Sequence, residues 1–234
     1  YVVPGFIDVH NHGNSGKDFS DGDYEGLKTL ARYLAKNGIT SFAPASVTLP
    51  EEQLKTAYQT GARLAKEAPA GCAVLRGIHM EGPFFSEKKK GAQNGAYLQN
   101  PNVEMFLRLN AAAEGLIKIA DVAPELPGAI GYIEQVSRIC RVSIAHTDAN
   151  YEQAKAAIAA GATHITHLFN AMPSFLHRAP GVVGAAAESP WVTAELICDG
   201  QHVHESVVRA TLSMFGASRL CLISDALSCC GMPK

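Results

Sequence analysis

The chain has 234 residues, 47% of them hydrophobic and 18% charged, with a formal net charge of −2. Such a composition fits a globular α/β domain with ample core material, most simply one domain over residues 1–234. The near-neutral balance excludes a general attraction to nucleic acid or membrane, and no apolar run reaches the roughly 20 residues that cross a bilayer.

In chain order, apolar runs alternate with amphipathic stretches. Strands are predicted over Val2–His12, Thr40–Val47, Val74–Glu81, Ile117–Glu125, Arg141–Asp148, His164–Asn170, Val192–Gly200 and Leu220–Ala226. Helices are predicted over Tyr24–Lys36, Glu51–Lys66, Val103–Ala113, Gly128–Arg138, Tyr151–Ala160 and Glu205–Phe215. The first helix shows the expected spacing, with Leu27, Leu30, Ala31 and Leu34 on one face. "KNG" and "AAGA" place glycine where helices should stop. Eight strands alternating with helices predict parallel βαβ units closing as a (β/α)8 TIM barrel. A doubly wound sheet usually carries a GxGxxG turn after its first strand, and "HGNSG" is not one.

Six cysteines (Cys72, Cys140, Cys198, Cys221, Cys229, Cys230) form no CxxC pair, so reduced thiols and a cytoplasmic setting are expected. Adjacent Cys229 and Cys230 have no evident role.

Polar residues fall where these apolar runs end. The first run closes on His10 and His12, whose rings share one side of an extended strand. Glu81 and Asp225 fall at the ends of the third and eighth runs, and the fifth and sixth carry His146 and His167. In a barrel all of them lie at the catalytic, C-terminal face. Imidazole and carboxylate together suit Zn, Fe, Mn or Co, and such an ion lowers the pKa of bound water to about 7. A carboxylate left free to move protons completes the chemistry, and Asp225 is the candidate. Each residue alone has an ordinary explanation: Glu81 or Asp225 could cap a turn or helix, and Asp8 could orient a neighbour. His79 and His164 read as hydrogen-bonded structural residues and His177 as a loop residue.

With "PGFIDVHNHG", "HMEGPF", "GAQNGAYL", "AHTDA", "THLFNAM", "ELICDGQHVH" and "LISDA" in order, the chain resembles the amidohydrolase superfamily. Within it the resemblance is to the family that removes acetate from N-acetylglucosamine 6-phosphate in amino-sugar catabolism. The resemblance implies a metal-dependent hydrolase on a TIM barrel. Glu81, His146 and His167 would hold the principal divalent metal, and His10 and His12, with Glu81 as bridge, a second. One or two ions per subunit are implied, zinc or iron first, manganese or cobalt as alternatives. Asp225 would take a proton from the attacking water and return it to the departing amine. Asn170, Ala171, Arg178 and His202 would contact the phosphorylated N-acetylhexosamine. Arg178 and His202 would reach a neighbouring subunit's site, which implies a homodimer.

One position departs from the family pattern. Relatives often have histidine in "KGAH", where this chain has Gln93 in "KGAQ". Gln93 can donate through its amide to the acetamide carbonyl, or a second ion does the polarising, which the intact His10–His12 pair favours. The family's flanking β-sandwich has no counterpart between Tyr1 and Lys234, so a fragment of a longer chain is expected. Lys88–Lys90 reads as a solvated loop face. The alternatives are an N-acetylgalactosamine 6-phosphate deacetylase, a dihydroorotase- or urease-type amidohydrolase, and a non-catalytic sugar-phosphate-binding barrel. The second of these usually bridges two metals with a lysine ending strand four, where this chain reads "VAPE".

Overall fold

The computed structural model describes residues 2–232. They fall into two compact units: residues up to Glu81 with Glu104–Lys118 and the segment from Ser224, and Gly82–Val103 with Ile119–Ile223.

The first unit carries β1 (Phe6–Asn11), the hairpin β2 (Gly13–Asn14) and β3 (Lys17–Asp18), α1 (Tyr24–Lys36), β4 (Ile39–Pro44), α2 (Glu51–Glu67), β5 (Val74–Leu75), β6 (Ile78–Met80) and α3 (Val103–Ala112). Strands β1, β4 and β5 pair in parallel, with Asp8 opposite Phe42 and Phe42 opposite Leu75. A parallel bridge from Ala45 to His79 brings in β6. Asp23 caps α1 by accepting the Glu25 N–H. The buried stripe of α1 is Leu27, Leu30, Ala31 and Leu34, each leucine contributing about 2 kcal/mol of burial. Directly after His12 the chain reverses at Gly13, where a Cβ would stand 2.1 Å from the Lys17 carbonyl oxygen. Only glycine permits that approach.

The second unit carries β7 (Ile117–Val122), α4 (Ala129–Val136), β8 (Arg141–Ile144), α5 (Tyr151–Ala160), β9 (Ala162–Ile165), α6 (Gly181–Glu188), β10 (Thr193–Ile197), α7 (Glu205–Phe215) and β11 (Leu220–Ile223). Strands β7 to β11 lie in sequential order and pair in parallel. Their inner residues Val122, Ile144, Ile165 and Ile197 are buried, the near-continuous apolar character expected of parallel strands. The Arg219 guanidinium donates to the carbonyls of Ala186, Ala187, Ser189, Val192 and Met214. It thereby adds a donor to carbonyls at the C-terminal ends of α6 and α7 and in the segment that follows α6.

The fold is therefore α/β with parallel strands, and every predicted strand run overlaps one, with β4 and β9 starting ahead of theirs at Ile39 and Ala162. The runs were read too long. Residues 2–5 carry no strand, Val74–Glu81 breaks into β5 and β6, and His167–Asn170 is a turn after β9. Helix α6 was not foreseen. Its "GVVGAAAE" is small and apolar nearly all round, with Val182, Val183, Ala185 and Ala186 buried, so it shows no polar face. Among the described residues no helix is long and apolar enough to cross a membrane.

Candidate metal centre

In the first unit, β1 ends by burying His10 and His12 on the same side. The His12 Nε2 lies 3.1 Å from Glu81 Oε2 and 3.3 Å from Asp225 Oδ1. The His10 Nε2 lies 3.7 and 3.5 Å from the same two atoms. Backbone bonds fix this arrangement. The Asp225 N–H donates to the His10 carbonyl, and the His12 and Gly13 N–H groups donate to the Ala226 carbonyl. Asp8 ties the same two segments together, accepting from the His10 N–H at 3.2 Å and the Ser224 hydroxyl at 2.6 Å.

The charges are mutually dependent. Burial opposes ionisation of Glu81, yet the His12 and His10 imidazoles hold its carboxyl well below the usual range. Burial also works against a charged His12, but the charge of Glu81, with the hydrogen bonds that His12 donates to Asp225 and Glu81, lifts it to about 9. Asp225 is lowered despite its burial, by its bond to His12 and the charge of His10. Burial pushes Asp8 upward. Asp225, with 20% of its side chain exposed, is the most accessible of these four cluster residues, against 0%, 6% and 2% for His10, His12 and Glu81.

In the second unit, His146 and His167 follow β8 and β9 and are both buried. His146 Nδ1 faces the Lys89 carbonyl at 2.9 Å, and His167 Nδ1 faces the Asn170 carbonyl at 3.2 Å. A carbonyl only accepts, so each Nδ1 carries the proton and each Nε2 of the neutral ring presents a lone pair. Those Nε2 atoms are 3.1 Å apart. Two lone pairs at that distance repel unless a cation lies between them, and carbonyl-anchored imidazoles are the usual metal-ligand arrangement. Phe85 stacks on His146 at 4.4 Å between centroids. The first cluster offers imidazole nitrogen and carboxylate oxygen and the second imidazole nitrogen, donors that fit zinc, iron, manganese or cobalt.

The remaining expected residues are more dispersed. The Ala171 carbonyl accepts the Thr147 N–H, and Asn170 gives its carbonyl to His167, so both shape the turn around His167. Half-buried Gln93 lies two residues beyond Gly91, whose Cβ position is 3.6 Å from His146. Arg178 is exposed and lines a cleft of about 620 Å³ with Asp148, Tyr151, Pro173 and Leu176. His202 is exposed and pairs with Asp199 at 2.8 Å. The His202 and Gln201 N–H groups hold Asp199 down at about 2. Neither Arg178 nor His202 bonds to the buried histidines among the described residues. His204 instead caps α7. Lys88 and Lys90 pair with Asp148 and Glu87, as a solvated face should.

His79 and His164 have structural partners, as expected: His79 bonds the Val9 carbonyl, and His164 bonds Thr193 and Glu195. Two residues were not anticipated, Asp199 and Glu195. The first had a sequence signal, an acid three residues before a histidine. The second had none, because its role depends on how β9 and β10 align.

The family profile described as "Amidohydrolase family" matches residues 1–229. The chain is 38% identical to N-acetylglucosamine-6-phosphate deacetylase of Vibrio furnissii, over 99% of this chain and 58% of that one. It is 33% identical to N-acetylgalactosamine-6-phosphate deacetylase of Escherichia coli O157:H7, over 99% and 61%. Its structure is similar to that of N-acetyl-D-glucosamine-6-phosphate deacetylase from Mycobacterium smegmatis, with TM-score 0.94 and 35% identity over 99% and 60% of the two chains. A variant of that enzyme in complex with N-acetyl-D-glucosamine-6-phosphate superposes with TM-score 0.92 at 35% identity, over 97% and 58%. The chain thus spans about three fifths of the length of the relatives it matches. On the profile match and these identities together, the chain belongs to the amidohydrolase family.

Proposed function

We propose that this chain forms the catalytic barrel of a metal-dependent amide hydrolase that removes acetate from N-acetylglucosamine 6-phosphate. The observation that carries the reading is the pair of carbonyl-anchored imidazoles, His146 and His167, presenting lone pairs to each other at 3.1 Å. In this reading Glu81, His146 and His167 would hold the principal ion, and His10 and His12, with Glu81, would hold a second. Zinc or iron suits the donors best. The ion supplies Lewis acidity and an acidified water at neutral pH.

The chain's own residues do the rest. Asp225, kept ionised and partly exposed, takes the proton of the attacking water and returns it to the nitrogen as the C–N bond breaks. Gln93 directs its amide N–H toward the acetamide oxygen, where negative charge develops. Asn170 and the Ala171 backbone hold the sugar, and Arg178 and His202 grip the phosphate. The exposed positions of Arg178 and His202 support service across a homodimer interface. A closed (β/α)8 barrel and a cytoplasmic location belong to the same proposal.

The galacto epimer is the second reading, favoured by the 33% identity to the Escherichia coli enzyme. The test is metal analysis of the full-length protein together with acetate release from both hexosamine phosphates. Faster turnover of the gluco substrate supports the first reading, and absence of acetate from either overturns both.

A further inference from the structure

Glu195 is a carboxylate with no exposed surface, set in the middle of β10. Burying a carboxylate is costly unless its oxygens are bonded. One oxygen, Oε1, meets His164 Nε2 at 3.1 Å, and the other, Oε2, accepts the main-chain N–H of His167 at 3.3 Å. The Glu195 carbonyl accepts the next N–H, that of Leu168, at 2.9 Å. Side chain and backbone of one residue thus hold two consecutive amides of the turn.

That turn is strained. His167, Phe169 and Ala171 have φ values of +29°, +78° and +52°, a region that costs a non-glycine residue energy and persists only where neighbours enforce it. Behind Glu195 the orientation is set by more hydrogen bonds. The Thr193 hydroxyl lies 2.6 Å from His164 Nδ1, and Arg141 donates to the Thr193 oxygen at 3.1 Å. A carboxylate facing an imidazole accepts, so His164 carries a proton on Nε2, aimed at Glu195. The register that pairs Thr193 with His164 across β10 and β9 makes this possible.

We infer that Glu195, oriented by His164, is a positioning residue that holds the strained turn presenting the His167 imidazole to its ion. The inference rests on the reading of His167 as a metal ligand and goes beyond it. Glu195 touches no substrate in this scheme and acts through His167.

The test compares Glu195→Gln with Glu195→Met in the full-length protein. Glutamine keeps an oxygen for the His167 N–H, and His164 can change tautomer to accept from its NH2. Methionine fills similar volume with no acceptor. Zinc affinity is read by competition with a chromophoric chelator, and ligand geometry by the visible spectrum of the cobalt-substituted protein. We expect the Gln protein within about threefold of the parent. The Met protein should bind zinc about tenfold or more weakly, with an altered cobalt spectrum and unchanged far-ultraviolet circular dichroism. Parental affinity and spectrum in the Met protein overturn the inference, as does a Gln protein as impaired as the Met protein. Should the Met protein fail to fold, the Gln protein decides: retained affinity supports the role and a tenfold loss overturns it. A parent that binds no zinc removes the metal reading and this inference together, whereas the Gln–Met comparison bears on Glu195 alone.

Discussion

His146 and His167 face each other Nε2 to Nε2 at 3.1 Å, each with its other ring nitrogen turned to a main-chain oxygen. On the proposed reading these are two metal ligands, each with its proton on the nitrogen that faces a carbonyl. Replacing either by alanine should remove one equivalent of tightly bound zinc, with an affinity loss beyond the about 10–100-fold typical of an outer partner. Zinc titration of the purified variants measures this. Unchanged stoichiometry and affinity in both would contradict the assignment.

Asp225 offers a sharper separation of binding from turnover. Asp225→Asn keeps a side chain of the same shape beside His12 but removes the proton acceptor. Metal content should stay near the parental value while kcat falls by about 100- to 10,000-fold. Acetate release under saturating substrate is the measurement, and near-parental turnover would refute the role.

The His12–Glu81 pair makes a prediction about pH. His12 is raised from 6.5 to about 9, so the folded, metal-stripped protein binds this proton more tightly than the unfolded chain. Its contribution to stability is complete below pH 6.5 and fades as pH climbs toward about 9. Glu81 and Asp225 are lowered from 4.5 and 3.8, so their contributions are present above those values and fade as pH falls below them. The stripped protein should therefore show its highest melting temperature between about pH 4.5 and 6.5 as far as this cluster decides. Added zinc must displace the His12 proton, so affinity should rise by about tenfold per pH unit between 7 and 9. A flat affinity profile across that range would exclude His12 as a ligand.

Arg219 carries a prediction about the scaffold alone. Its guanidinium serves carbonyls from residues 186 to 192 and from Met214. Arg219→Met removes the guanidinium donor from those oxygens, of which Ala186 and Ser189 keep a main-chain N–H, and should lower stability by about 3 kcal/mol. Denaturant unfolding measures this, while metal content in the folded fraction should not change.

Much of this architecture was legible in the sequence because local chemistry agrees with the fold. Helices α1, α5 and α7 have the bounds read from periodicity, since apolar spacing and caps coincide. Asp23 starts α1, and Asn150 with Gln153 forms a reciprocal box at the start of α5. His10, His12, Glu81 and Asp225 were legible because each interrupts an apolar run at its end. Glu195 was not, because it sits mid-strand, and only the β9–β10 register shows what its carboxylate meets. The start of the first strand was placed too early for a related reason. Val2 and Val3 are apolar yet exposed, and strand formation requires a partner that composition does not reveal.

The grip of Asp8 on Ser224 spans 216 positions of chain. Contacts that distant must wait for the whole segment between them to be made and gathered, because loop closure comes before any reward. A nascent chain emerging from the ribosome would hold its paired imidazoles without the clamp that sets them. On the proposed reading, capture of an ion by His10 and His12 would therefore follow synthesis of Ser224, with ion loading coupled to formation of that clamp.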